Sequence, residues 1–234
     1  MLGVVIVSYH SCERTANYIK NELPKLPVDY CVCVIDVQGN EHSQAMIECV
    51  LGKEDIYQKT EDNPGYGTGN NLGVKMLLEK HKDMEFLLIS NDDVQIPTDA
   101  NFESLMDYMN KNPQCAVIGP DCVGLDKKSQ SPWNGPENFT DAARFPDPFA
   151  GESRVCYSVR GCFMVVRTQA FVAVGGFDES FFLFFEEPAL SECLVQHGYF
   201  TYYPKNRIIL TRKASCRRHA HFFPLKVGFF ICKI

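Results

Sequence analysis

Residues able to do chemistry gather at four places in this chain. Asn91-Asp92-Asp93 closes the apolar run Leu87-Leu88-Ile89-Ser90, and Pro97 then blocks simple continuation of the strand. Open α/β sheets place their chemistry just beyond the carboxyl ends of strands, where carboxylates suit a hard divalent cation bridging to phosphate oxygens. A turn in which both aspartates cap the next helix is an equally good reading of these residues alone. Glu186-Glu187 ends the aromatic run Phe181-Phe182-Leu183-Phe184-Phe185 and opens a helix with Pro188 in its first turn. Two carboxylates against an aromatic wall raise a pKa, which suits a general base, but the same pair also complements a helix dipole. Asp36 ends the apolar stretch that begins at Tyr30. Finally, Gly65, Gly67 and Gly69 alternate between Asn63-Pro64 and Asn70-Asn71. Such glycines let backbone approach a ligand, with free N–H groups at a helix opening near Thr68, although a plain tight turn accounts for them as well. The spacing is not the dinucleotide G-x-G-x-x-G.

The elements that must position these groups follow from periodicity. Residues 2–7 form a short β-rich apolar strand that ends at Ser8-Tyr9, and a helix over 12–23 stops at Pro24. A second strand covers 30–37, a helix 43–51 and a third strand 55–59. This β-α-β-α-β alternation predicts a single α/β domain with a mostly parallel central sheet and helices on both faces. Phe102, Leu105, Met106 and Met109 recur at helical spacing over 101–110 and are assigned to core. Another strand spans 115–119. From 121 to 153 the pattern breaks into a Pro- and Gly-rich irregular insertion containing the only tryptophan, Trp133, of the kind that serves as a lid or binding loop. Regularity returns with a strand over 157–167, entered through Gly161, then a helix over 168–174 capped at Gly175-Gly176. In the helix opened by the glutamates, Leu190, Cys193, Leu194 and His197 make the inner face, with His197 packed or capping rather than a ligand.

Composition bounds the rest. A chain of 234 residues with 45% apolar content can bury one sizeable core. No apolar run reaches the roughly 18 residues a membrane span requires, and no secretory pattern opens the chain, so a cytoplasmic protein is expected. The 11 cysteines are scattered without a C-x-x-C, which predicts packed thiols rather than zinc or disulfides. Cys31 and Cys33 share one strand face. All 29 acidic residues lie at or before Glu192, whereas 8 of the 23 basic residues follow it. That segregation points to an anionic partner at the C-terminal end or to a solvated basic face.

Taken in order, these pieces resemble the family-2 glycosyltransferases of the A-type fold, in particular the bacterial rhamnosyltransferase-like branch. The matching residues are Val7-Ser8-Tyr9, Asp36, Asn63-Pro64-Gly65-Tyr66-Gly67 with Asn70-Asn71, Asn91-Asp92-Asp93, Gly161-Cys162-Phe163, Gly175-Gly176-Phe177-Asp178-Glu179 and Phe185-Glu186-Glu187. They span roughly residues 2–204, with a nucleotide-sugar-binding half (1–120), an acceptor-side half (121–204) and a basic aromatic tail (205–234). The resemblance implies that Val7, Ser8, Tyr9, Asp36, Asn63 and Gly65 hold the base and ribose of a nucleotide-diphospho-sugar, with Asn91 and Asp92 beside the ribose or sugar. It gives Asp93 to a divalent metal, Mn or Mg, Glu187 to the base with Glu186 beside it, and Gly161, Cys162 and Asp178 to the acceptor side. The implied reaction is inverting transfer to a saccharide or lipid-linked saccharide in surface polysaccharide synthesis. dTDP-rhamnose leads UDP-galactose and UDP-N-acetylglucosamine as donor, and no nucleic-acid partner is expected. The aromatic tail would rest peripherally on an anionic bilayer at the inner face of the membrane, or else its aromatics simply close the core.

Four departures from the family pattern bear on this. Asn91 replaces the first acid of an Asp-x-Asp, Glu187 stands where aspartate is usual and Ala189 where a second aspartate is frequent. The histidine expected near Leu210 or Thr211 is missing, although His219 and His221 follow. A catalytically weakened nucleotide-sugar- or glycan-binding module is therefore the rival. A sugar-nucleotide pyrophosphorylase is disfavoured, because Tyr9-His10-Ser11 stands where a basic Gly-rich loop would follow the first strand.

Overall fold

The structure is a computed structural model and describes residues 1–124, 129, 132, 154–204 and 208–211. Its first half alternates as the periodicity predicts: β1 (Leu2–Tyr9), α1 (Cys12–Asn21), β2 (Tyr30–Val37), α2 (Glu41–Glu48), β3 (Ile56–Thr60), α3 (Tyr66–Lys80) and β4 (Phe86–Ser90). There follow β5 (Val94–Gln95), α4 (Glu103–Lys111), β6 (Cys115–Ile118), β7 (Asp121–Val123), β8 (Arg154–Cys156), β9 (Phe163–Arg167), α5 (Thr168–Ala173), α6 (Glu186–Gln196), β10 (Phe200–Tyr203) and β11 (Ile208–Thr211).

Eight strands form one sheet in the order β3-β2-β1-β4-β9-β6-β10-β8. Only β9 and β8 run against the other six, so the mostly parallel sheet is borne out. The strands are apolar on both sides because both faces are covered. On one face Leu2, Val4, Ile6, Val32 and Leu88 pack with Tyr18 and Ile19 of α1, Ile47 of α2 and Leu105 and Met109 of α4. On the other, Val5, Cys31, Cys33, Ile35, Leu87 and Ile89 pack with Val74 and Leu77 of α3, Phe171 of α5 and Leu190 and Leu194 of α6. Cys31 and Cys33 do share a face, as period-2 alternation requires, and the nine described cysteines are all free thiols.

The central strand stops at Ser90, where the carboxylates were expected to close it, and Val94–Gln95 pairs in a second sheet ordered β5-β11-β7. Asn91-Asp92-Asp93 is thus the crossing between two sheets. Two boundaries differ from the sequence expectation. The strand expected over 157–167 begins only at Phe163, which leaves Gly161 and Cys162 in the turn before it. Regular structure also continues past Pro204: β11 is the middle strand of the small sheet, parallel to β7 and antiparallel to β5. Periodicity hid it, because four residues are too few to show one. Most of the irregular insertion, Trp133 included, and residues 212–234 with His219 and His221 lie outside the described residues.

Candidate active site

Topology brings the candidate residues to one rim. Because β1, β2 and β4 are parallel neighbours, Ser8-Tyr9, Asp36-Val37 and Ser90-Asn91 end side by side; Ser8 is in register with Asp36. β9 is antiparallel to β4 with Phe163 opposite Ser90, so Gly161 and Cys162 enter at that rim, and Asn91 N–H donates to the Cys162 carbonyl at 2.9 Å. α6 leads into β10, which runs parallel to β6, so the helix descends from the rim and its first residues, Glu186 and Glu187, lie at the top.

At that helix start the two carboxylates have different surroundings. Glu186 is 3% exposed and its Oε2 has no hydrogen-bond partner. Burial, reinforced by the neighbouring Glu187 charge, pushes its pKa up from 4.5 to about 7. Glu187 is half-buried, and its Oε1 accepts the Gly161 N–H at 2.8 Å. Burial raises its pKa as well, while that hydrogen bond and the Arg160 charge pull it back. Phe184 and Phe185, immediately before, hold φ of 70° and 72°. Left-handed backbone costs an L-residue roughly 1–2 kcal/mol, so the chain sustains strain to set α6 at this angle. The preceding side chains are also outward: Phe182 is 58% and Phe184 53% exposed. A cavity of about 360 Å³ is lined by Ser158, Val159, Arg160, Phe184, Phe185, Glu187 and Pro188. Large apolar groups beside a carboxylate and a guanidinium give it an amphipathic wall.

The Cys162 thiol is pushed well up by contact with the Cys122 thiol at 3.4 Å, by burial and, less strongly, by the charges of Asp93 and Glu187. Asp92 turns toward α1. Its oxygens accept from Ser11 Oγ at 2.5 Å, Thr15 Oγ1 at 2.7 Å and Arg14 Nε at 2.8 Å, and Ser8 Oγ lies within hydrogen-bond distance of Thr15 Oγ1 at 2.8 Å. Residues at the start of α1 thus hold both oxygens of the carboxylate expected beside ribose or sugar. Asp36 is 2% exposed and accepts from Ser43 Oγ at 2.5 Å and Tyr57 hydroxyl at 2.8 Å. Ser43 belongs to the Asn40 capping box that starts α2. Tyr9 is 49% exposed at the rim. Val7 packs against α3 where Gly69 has no side chain.

The glycine loop closes the site from α3. Asn63 Oδ1 accepts from Gly65 N–H at 3.0 Å, and Gly65 adopts φ 86° where any Cβ would collide with the Phe182 carbonyl. α3 begins at Tyr66, two residues before the opening expected near Thr68. Asn71 was legible only as part of a motif, yet it bolts the 175–179 loop to α3: its amide donates to Phe177 O at 2.9 Å and its carbonyl accepts from Phe177 N at 2.9 Å. Asp178 itself is exposed and accepts from Ser180 N–H at 2.9 Å, which is local turn chemistry. His197 caps α6, its Nδ1 2.8 Å from the Cys193 carbonyl. Tyr66 carries more of the site than the sequence shows; its hydroxyl donates to the Gly161 carbonyl at 2.7 Å.

This sheet order and rim define the A-type glycosyltransferase fold, and solved structures agree. S. aureus TarS 1-349 in complex with UDP superposes with a TM-score of 0.63 at 14% identity, covering 91% of this chain and 60% of that one. GalNAc-T7 with UDP, GalNAc and Mn2+ gives 0.67 at 13% identity over 91% of this chain and 44% of that one. The mannosyltransferase PcManGT from Pyrobaculum calidifontis, in complex with GDP-Man and Mn2+, gives 0.64 at 13% identity over 93% and 57%. The resemblance to the rhamnosyltransferase-like branch is borne out in sequence. Over 180 residues the chain is 26% identical to an N-acetylglucosaminyl-diphospho-decaprenol L-rhamnosyltransferase of Mycobacterium tuberculosis, covering 66% of this chain. The chain matches 58% of that relative's length. No protein-family profile matches the chain.

Proposed function

We propose that this protein transfers a sugar from a nucleotide-diphosphate donor to a saccharide or lipid-linked saccharide acceptor, with inversion, in surface polysaccharide synthesis. The observation that carries the proposal is Glu187, fixed by the Gly161 N–H on the same rim as Asp93 and Ser8. Glu187 takes the proton of the acceptor hydroxyl as it attacks the anomeric carbon opposite the departing diphosphate. A base must be accessible yet desolvated enough to hold its proton, and half-buried Glu187 meets both demands better than buried Glu186. The amphipathic cavity of Arg160, Phe184 and Phe185 suits the acceptor. By the same proposal, Tyr9, Ser8 and Asp36 border the base and ribose, and dTDP-rhamnose leads as donor on the mycobacterial similarity.

Among the described residues no three His, Cys, Asp or Glu side chains form a ready cage for a metal. The single rim carboxylate of Asp93 nevertheless fits Mn or Mg, which are commonly held through one or two carboxylates plus substrate phosphates. When bound there, such an ion offsets charge gathering on the leaving diphosphate. The experiment is thermal unfolding with UDP, GDP and dTDP, with and without Mn2+. At least one should stabilise the protein by about 2.7 kcal/mol at a hundred times its Kd, more with Mn2+ than without. Indifference to all three contradicts the proposal. A nucleotide-sugar-binding module without turnover is the rival, favoured by the commitment of Asp92 to α1; stabilisation without any donor hydrolysis would select it.

A further inference from the structure

Gly161 is gripped from two sides. Its N–H donates to Glu187 Oε1 at 2.8 Å, and its carbonyl accepts from the Tyr66 hydroxyl at 2.7 Å. Tyr66 cannot drift, because it is the first residue of α3 and three further interactions hold it. Its N–H donates to Phe182 O at 3.0 Å, its carbonyl accepts from Asn70 Nδ2 at 2.9 Å, and its ring lies 6.4 Å from that of Phe177. A Cβ at Gly161 would meet Glu187 Oε1, the far end of a flexible side chain, so a side chain there would displace the carboxylate. These two hydrogen bonds tie the turn that carries Gly161 to α3 and to α6, and both end on one residue.

We infer that Tyr66 is a positioning residue: through Gly161 it sets where the Glu187 carboxylate stands relative to the acceptor hydroxyl. This rests on Glu187 being the base. The phenol suits the task because it stays protonated and so remains a donor: burial, then the charges of Glu187, Cys162 and Glu186, lift its pKa well above the ordinary value. Losing the hydroxyl frees the Gly161 carbonyl, lets the turn shift and moves the N–H that orients Glu187. Misplacement on the order of 1 Å costs ~10²-fold in rate. Removing a uniform binding contact would instead raise KM, which separates the two roles.

The test compares Tyr66→Phe, Gly161→Ala and Glu187→Gln in donor turnover with dTDP-rhamnose, UDP-galactose and UDP-N-acetylglucosamine, alongside affinity for the matching nucleotide diphosphate. Tyr66→Phe should lower kcat about 10- to 100-fold, with KM for the donor and nucleotide affinity within about twofold of wild type. Gly161→Ala should reproduce that split by a different route. Wild-type kcat in Tyr66→Phe, with turnover lost in Glu187→Gln, overturns the inference and leaves the base intact. Wild-type kcat in Glu187→Gln overturns the base and the inference with it. Should Tyr66→Phe lose nucleotide affinity and fold together, Gly161→Ala decides alone, and an unchanged kcat there is fatal.

Discussion

The two adjacent glutamates differ in what burial does to them. Glu186 is protonated in the fold up to about pH 7 but ionised above 4.5 once unfolded. The unfolded chain therefore binds fewer protons in that window, and stability falls as pH rises through it, by roughly 3 kcal/mol in all. Glu186→Gln removes this slope. Urea unfolding should find the variant more stable than wild type at pH 8 and indistinguishable from it near pH 4; parallel curves would contradict the burial. Asp92 behaves differently, since its carboxylate is buried but saturated. Asp92→Asn should cost about 1–2 kcal/mol, tempered because Arg14 is 44% exposed, while nucleotide-diphosphate affinity stays within about twofold. Urea titration and calorimetry measure the two halves of that statement. A stable Asp92→Asn protein that no longer binds nucleotide would return Asp92 to the ligand.

At the scale of elements, α3 is the piece that must sit close. Gly69 faces Val7, and Gly73 faces Val5 and Ile35, so the helix lies low on β1 and delivers Tyr66 to the rim. Glycine in a helix costs about 1 kcal/mol relative to alanine, and close packing returns it. Gly73→Val gains some helical propensity but overpacks the contact with Val5, which should dominate with a net loss of roughly 2 kcal/mol, read from the urea midpoint. A neutral outcome would mean that α3 stands off the sheet. The sequence made this helix, its glycines and the strand alternation legible, because period 2 and period 3.6 are strong over these lengths. It could not show that Asp92 turns toward α1, since Ser11, Arg14 and Thr15 lie some 80 positions away and carry no local signal. Nor could it show the Tyr66–Gly161–Glu187 chain, which joins three segments.

For the whole molecule, the parallel β3-β2-β1-β4 half gathers strand ends, and the antiparallel β9 brings the Gly161 turn back to them. The small sheet β5-β11-β7 ties the chain after Pro204 to the segment that follows Asp93. The rest of the basic aromatic tail, residues 212–234, follows β11, and no helix among the described residues is long and apolar enough to cross a membrane. We propose that this tail meets an anionic bilayer. Flotation with phosphatidylglycerol vesicles should carry the full chain and lose the chain deleted from 212 to 234, and equal flotation of both would end that proposal. Glu187 is the residue on which the proposed chemistry turns. Its conversion to glutamine leaves size and hydrogen-bonding shape in place but removes the base, so donor turnover should fall about 10²- to 10⁴-fold while the thermal shift given by the nucleotide diphosphate persists. Wild-type turnover in Glu187→Gln would contradict the account directly.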